Sequence, residues 1–457
     1  MKQSGKAEDP RQHSPEADSE TPLPSYMTGP YAPVDDEIDA IELEVTGALP
    51  AELDGRYVRN GPNPLPGEIS PHLFVGDGML HGVRLRNGRA QWYRNRWVRT
   101  VKFDGGSPLR EDGGINRAYS TANTSIIRHG GRLFALVEGS FPIEVTPELD
   151  TVGACDFAGG LTTAMTAHPK QDPITGELHF FGCDMRPPFV TYHRLSAAGE
   201  LVFSTPIDVP GLTMMHDFAI TENHVIWLDL PVTLQFSGKG LPFGWSDDYG
   251  ARLGVMSKNG GPVRWFEVEP CYVFHVGNAC EDGSGRIILD AVRYDATAWT
   301  STWFALSGET PSPSTGRGQQ LYRWTLDPVS GRVAEQPLDD RSVEFPTIHA
   351  RHVGHPNRYL YAVDRETIVK YDVDTGKSTV HQLGSGWNAG EAAFVPAADA
   401  RSEDEGWLMS LVIHDDPNVS SQLRILDATA LEAGPVAAVR LPRRVPIGFH
   451  GNWITQE

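Results

Sequence analysis

Sixteen histidines in a chain with only four cysteines raise the question of imidazole-based metal chemistry. Four of them share one kind of context: His168 in TTAMTAHPK, His216 in LTMMHDFAI, His275 in YVFHVGNA and His450 in PIGFHGNW. Each lies beside small or apolar residues at the edge of a β-type run. Singly, a histidine so placed is more often a satisfied core residue than a ligand. Their intervals of 48, 59 and 175 residues approximate one, one and three units of about 60 residues, the length of a four-stranded propeller blade with its loops. In a closed propeller the four could therefore lie at one depth around the axis. Imidazole suits iron, copper, zinc and nickel. Four neutral ligands would leave the metal its full charge and, if it is six-coordinate, two positions for oxygen and substrate.

A metal-bound histidine usually donates its other N–H to a carboxylate that fixes the ring. Glu138 in LFALVEGSFP, Glu344 in SVEFP and Glu391 in NAGEAAFVP have suitable apolar or small neighbours. Buried there without a partner, each charge would cost several kcal/mol. Strand-end glutamates reaching water fit the same contexts equally well. A tighter cluster, His349, His352 and His355 in TIHARHVGH, would share one side of a helix but alternate across a strand. Pro346 and Gly354 oppose a helix, so these three read as strand and loop histidines of the surface. Cys155, Cys183, Cys271 and Cys280 form no C-x-x-C pair, which gives no zinc site and suits reduced thiols.

The elements that must position such residues are short strands. With 47 glycines and 35 prolines in 457 residues, the backbone turns unusually often. Alternating or β-branched runs flank turn signals such as Asn87-Gly88, RHGGRLFALVEG (128–139), DPITGELHFFG (172–182), SAAGELVFS (196–204) and EDGSGRIILDAV (281–292). Their starts recur roughly every 20 to 45 residues, as expected of hairpins or propeller blades. Helical patterns are few, and the Ala-rich segment 427–439 is interrupted by Gly434 and Pro435. No G-x-G-x-x-G opens a helix, and no P-loop or G-x-S-x-G elbow occurs. Residues 1–35, with six prolines and few large apolar side chains, are expected to be a disordered or loosely attached tail. Residues 36–457 are expected to form a single domain.

A net charge of −20 repels phosphate backbones, and the basic cluster Arg440, Arg443 and Arg444 reads as a solvated strand end, so nucleic acid is not an expected partner. No signal peptide and no membrane-spanning run of about 18 apolar residues is visible, so the expected location is cytoplasmic.

The chain resembles the carotenoid cleavage oxygenases, non-haem iron enzymes that include apocarotenoid oxygenases, lignostilbene dioxygenases and retinoid isomerohydrolase. The segments that carry the resemblance include RNGPNP (59–64), FVGDGMLHGV (74–83), NRAYSTANTS (116–125), LVEGSFP (136–142), TAHPKQDPITGEL (166–178), MMHDFAIT (214–221), FHVGNACED (274–282), EFP (344–346), GEAAFVP (390–396) and FHGNW (449–453). They run in family order along almost the whole chain. The resemblance implies an all-β fold: a seven-bladed β-propeller with loops and short helices capping one face, Fe(II) on the axis and a hydrophobic tunnel leading to it. It assigns His168, His216, His275 and His450 as iron ligands, with Glu138, Glu344 and Glu391 orienting His216, His275 and His450, and it gives His168 no acid partner. Thr124 matches a residue near the vacant coordination position. His81 matches a structural histidine. Val137, Phe274 and Phe345 are assigned to the substrate lining.

The implied activity is cleavage of a carbon–carbon double bond with O2 to give two carbonyl products, without flavin, haem or 2-oxoglutarate. In stilbene-cleaving members a lysine precedes the first of the orienting glutamates and binds the phenol oxygen. Val137 occupies that position here, which favours an apocarotenoid-like lipophilic alkene over stilbenes or phenylpropenes. A lipid-binding or scaffold propeller is the non-enzymatic alternative, and its expected mark, loss of a histidine or acid, is missing. Segments 231–245 and 296–306 carry apolar residues that family members use for peripheral membrane contact, although tunnel lining or propeller packing accounts for them as well. No obligate protein partner is implied.

Overall fold

The computed structural model describes residues 23–236, 241–308 and 318–456. Glycine-rich turns cut the chain into short antiparallel strands. At Asn87 and Gly88, for example, φ is +52° and +70°. Positive φ at both central residues lets a two-residue turn match the right-handed twist of its strands. Among the described residues the strands assemble into seven antiparallel sheets of four to six strands, plus a two-stranded hairpin, Val232–Leu234 with Phe243–Trp245. Each large sheet is one blade, so the seven-bladed propeller expected from the sequence is the observed fold.

Both chain ends close the ring. Gly451–Thr455 pairs with Gly55–Pro62 and forms the inner edge of the first blade. Val45–Gly47 pairs with Pro435–Arg440 and forms the outer edge of the seventh. The core is distributed between neighbouring blades, where fully buried Trp227, Trp324, Tyr57, Tyr93 and Tyr192 fill the gaps.

Two local features differ from expectation. Residues 1–22 lie outside the described residues, but 23–35, assigned to the tail by composition, are packed on the fold. Two short 3-10 turns, Ser25–Met27 and Gly29–Tyr31, bury Tyr26 and Met27 against Leu73, Leu306 and Phe449. Asn63 Oδ1 accepts a bond from Val34 N (2.8 Å), and Pro30 O accepts one from Ile447 N (2.9 Å). The few apolar side chains in this stretch suffice because they fill a groove the propeller already provides. The second difference is the α-helix Ala296–Leu306, in a segment without clear helical periodicity. Asp295 caps it by accepting a bond from Ala298 N (2.7 Å), and Trp299 and Trp303 are buried and stacked at 5.3 Å. No helix among the described residues is long and apolar enough to cross a membrane.

Candidate metal centre

Each of the four histidines stands just before an inner strand or near its start: three precede their strands and His275 is the fourth residue of its own. His168 precedes Lys170–Gln171 and His216 precedes Ala219–Ile220. His275 lies within Tyr272–Glu281, and His450 immediately precedes Gly451–Thr455. These are the inner strands of blades three, four, five and one, so the irregular spacing along the chain becomes a ring about the axis. Ring centroids are 4.5 Å apart for His168 and His216, 4.6 Å for His168 and His450, 4.8 Å for His275 and His450, and 5.2 Å for His275 with either His168 or His216. The strand that follows His450 packs against Gly55–Pro62 because residue 451 is glycine: a Cβ there would lie 2.1 Å from Tyr57 Oη.

The acids arrive from other blades. Glu138, just after Arg132–Leu136 of the second blade, places Oε1 2.7 Å from His216 Nδ1. Glu344, at the start of the sixth blade, accepts a bond from His275 Nδ1 at 2.6 Å, and its other oxygen accepts one from Tyr294 Oη at 2.6 Å. Glu391 of the seventh blade lies 3.1 Å from His450 Nδ1 and also accepts the Gly451 N–H at 2.8 Å. A carboxylate only accepts, so the bonds at His275 and His450 place a proton on Nδ1, and in the neutral ring Nε2 then carries the lone pair. His168 has no comparable Nδ1 partner; the nearest carboxylate oxygen is that of Glu138, 3.9 Å from its Nε2.

Electrostatics favour neutral ligands at two of the positions. Burial, reinforced by the neighbouring imidazoles, holds His168 well below the usual histidine range. Burial also lowers His275 despite the opposing charge of Glu344. For His216 burial pushes the same way, but the charge and proximity of Glu138 outweigh it and raise the group. Burial pushes Glu138 and Glu344 upward, yet their histidine partners hold both below the ordinary carboxylate value.

The donor set fits a metal ion. His275 Nε2 is buried without a hydrogen-bond partner, and His168 Nε2 lies 3.0 Å from His216 Nε2. Crowded lone pairs call for a proton or a cation between them. Potential ligand atoms of His168, His275 and His450, and of Glu138, His168 and His216, lie within 4.8 Å of one another in each group.

Other candidates separate clearly. Thr124 is buried beside the ring, and its carbonyl accepts the His450 N–H at 3.2 Å. Phe274 lies 5.5 Å from the His216 ring, and Phe345 stacks on His275 at 5.0 Å. Val137 is half-buried next to Glu138. His81 is buried within the first blade and paired with Tyr93 Oη at 2.9 Å, a structural setting. The 349–355 histidines engage local backbone: His349 Nδ1 accepts from Arg351 N, and His352 Nδ1 lies 2.7 Å from Pro356 O.

Three contributors escaped sequence reasoning. Asp217 accepts the Val276 N–H (2.8 Å) and pairs with Lys170 Nζ (2.8 Å), tying the strands behind His216 and His275. Its place directly after His216 was the available signal. Phe449 likewise adjoins His450 and packs on Phe74 at 5.4 Å. Tyr294 gave none, because only strand register brings it opposite Tyr272 and onto Glu344.

A propeller carrying four inner-strand histidines and carboxylates that orient three of them defines a class, and comparison identifies it. The profile of the Retinal pigment epithelial membrane protein family matches residues 31–455. The carotenoid cleavage oxygenase of Mycobacterium tuberculosis is 39% identical over an alignment 506 positions long, spanning 96% of this chain and 98% of the relative. Carotenoid 9,10(9',10')-cleavage dioxygenase 1 of Arabidopsis thaliana is 33% identical, spanning 96% of this chain and 91% of the relative. The Pseudomonas brassicacearum lignostilbene dioxygenase structure superposes with a TM-score of 0.84 at 29% identity, covering 95% of this chain and 100% of that one. A cobalt-substituted Synechocystis apocarotenoid oxygenase gives a TM-score of 0.79 at 28% identity, covering 93% of this chain and 97% of that one. The chain belongs to the carotenoid cleavage oxygenase family, and it is an oxygenase of that class.

Proposed function

We propose that His168, His216, His275 and His450 hold one Fe(II) and that the enzyme uses O2 to split a carbon–carbon double bond of an apocarotenoid-like substrate into two carbonyl products. The observation that carries this reading is the proximity of three Nδ1 atoms to carboxylates in a cluster of four imidazoles whose neighbouring ring centroids lie 4.5 to 5.2 Å apart, which supports Nε2 as the metal-binding atom. Bound there, Fe(II) supplies the electrons and open positions needed to activate dioxygen beside an alkene. The protein does the rest. Glu138, Glu344 and Glu391 hold three ring planes and protons fixed. Phe274 and Phe345 cover the imidazoles with apolar surface, which excludes water and suits a polyene. The Thr124 methyl restricts approach from its side. Exposed Phe236 and Phe304 offer apolar surface where a lipophilic substrate could be taken up from a membrane.

Cleavage of a stilbene or phenylpropene to aromatic aldehydes is the second reading, favoured by the lignostilbene dioxygenase superposition and opposed by valine at 137. The deciding experiment is anaerobic reconstitution with Fe(II), exposure to O2 with a panel of apocarotenoids and hydroxystilbenes, and mass analysis of the carbonyl products. Apocarotenoid cleavage with one O2 consumed per two carbonyls supports the first reading; exclusive cleavage of hydroxystilbenes replaces it with the second.

A further inference from the structure

Consecutive residues of a β-strand point to opposite faces of the sheet. Glu344 and Phe345 open the strand Glu344–Thr347, yet both converge on His275. The carboxylate binds its Nδ1 (2.6 Å), and the aromatic ring stacks on the imidazole at 5.0 Å with 25° between the planes. The backbone makes this possible. Phe345 has φ of +51°, in the left-handed region that a bulky residue rarely enters. It also precedes Pro346, a position biased toward extended conformations. The pairing with the neighbouring strand shifts register between Glu344 and Thr347.

Surrounding contacts hold the strained residue. Its N–H donates to Glu344 Oε2 at 2.6 Å, the oxygen that also accepts from His275. The same phenyl ring meets His450 at 5.2 Å and 71°. Thr347 Oγ1 donates to Ala392 O at 2.7 Å, linking this turn to the residue after Glu391, which in turn engages His450. One strained residue thus touches two imidazoles and one of their carboxylates.

We infer that Phe345 is a positioning residue: its left-handed backbone breaks strand alternation so that ring and carboxylate together fix the planes of His275 and His450 for metal binding. This rests on the four-histidine reading and goes beyond a role in lining the substrate site. Strain at a residue held by its surroundings is a recurrent device at functional sites.

Phe345→Gly keeps the backbone conformation free of strain and removes the ring; Phe345→Ala removes the ring and retains the strain; Phe345→Leu keeps apolar bulk without a planar face. The protein is loaded with Co(II), and the visible d–d spectrum, the rate of cobalt loss to a chelator and the melting temperature are recorded. All three variants should lose cobalt at least about 10-fold faster than wild type, the scale of lost support around a ligand, with altered d–d bands. The Gly variant should melt above the Ala variant. Wild-type spectra and loss rates in all three, even with a changed KM, would overturn the inference and leave Phe345 as substrate lining only. Equal or reversed melting of the Gly and Ala variants would overturn the strain component. A wild-type protein that binds no cobalt at these histidines would instead overturn the metal reading itself.

Discussion

At the scale of single residues, a carboxylate hydrogen-bonded to Nδ1 does two jobs: it fixes the ring and makes Nε2 a better donor. Glu391 also holds the Gly451 N–H (2.8 Å), so Glu391→Gln keeps the shape and removes the charge. We expect a 10- to 100-fold loss of iron affinity or turnover with the fold retained, measured by iron titration and circular dichroism; unchanged affinity and rate would make the acid merely structural. Val137 offers only apolar contact beside Glu138. A phenol buried there without a partner loses about 1 to 3 kcal/mol, so Val137→Lys should raise kcat/KM for a 4-hydroxystilbene relative to an apocarotenoid by roughly 5- to 150-fold. Iron content is checked in parallel, because the new cation adjoins Glu138. A wild type that already prefers the hydroxystilbene would contradict the substrate assignment. Glu281 provides a test away from the site. It accepts bonds from Thr221 Oγ1 (2.6 Å), Asn223 N (2.9 Å) and His224 Nδ1 (3.0 Å). Burial pushes it up, but these bonds outweigh burial and hold it down to about 2. A depressed carboxylate stabilises the fold above its unfolded value, and that contribution fades as pH falls toward the folded value. Glu281→Gln should therefore destabilise the fold at pH 7, by less than the full shift implies because solvent screens the group, and do so progressively less as pH falls between about 4.5 and 2. Urea unfolding across that range reads it, and a pH-independent deficit would refute it.

At the scale of elements, the stretch 23–36 acts as a strap. It reaches the His450 loop through the Ile447 N–H to Pro30 O (2.9 Å), Arg444 Nη2 to Pro33 O (3.3 Å) and the Arg443–Asp36 ion pair. Tyr26 and Met27 pack beneath Phe449, next to His450. Deleting residues 1–30 removes both buried side chains at about 1.5 to 3 kcal/mol each. A calorimetric melting temperature lower by several degrees is expected, with weaker iron retention; an unchanged melting temperature would show that the strap merely rests on the surface. Composition hid this because an average over 35 residues masks two aromatic or apolar anchors among prolines. The helix Ala296–Leu306 was hidden for a related reason. Its Thr and Trp content reads as strand or loop, and the one local signal was the cap at Asp295. Hairpins were legible because Asn-Gly and Gly-Gly turns act through short-range backbone preference. The His and Glu contexts were legible because each marks a strand edge. Phe345 was legible only as a lining residue; its left-handed backbone was not, since it arises where the pairing of Glu344–Thr347 with Tyr359–Val363 shifts register.

At the scale of the whole molecule, ring closure converts four separated strand edges into one centre. Because each orienting acid sits on a different blade from its histidine, blade packing and ligand geometry are coupled. The pairing of Gly451–Thr455 with Gly55–Pro62 makes His450, late in the chain, part of the first blade. Blade arithmetic anticipated this arrangement from sequence, but the acids' partners required family resemblance, because spacing alone does not reveal which blades face one another. The most direct test of the four-histidine centre is anomalous diffraction at the iron edge, from crystals of protein reconstituted anaerobically with Fe(II). A single strong peak per chain is expected on the propeller axis, in bonding contact with Nε2 of His168, His216, His275 and His450. No peak at that point, or an iron peak held by other residues such as His349 and His352, would contradict it.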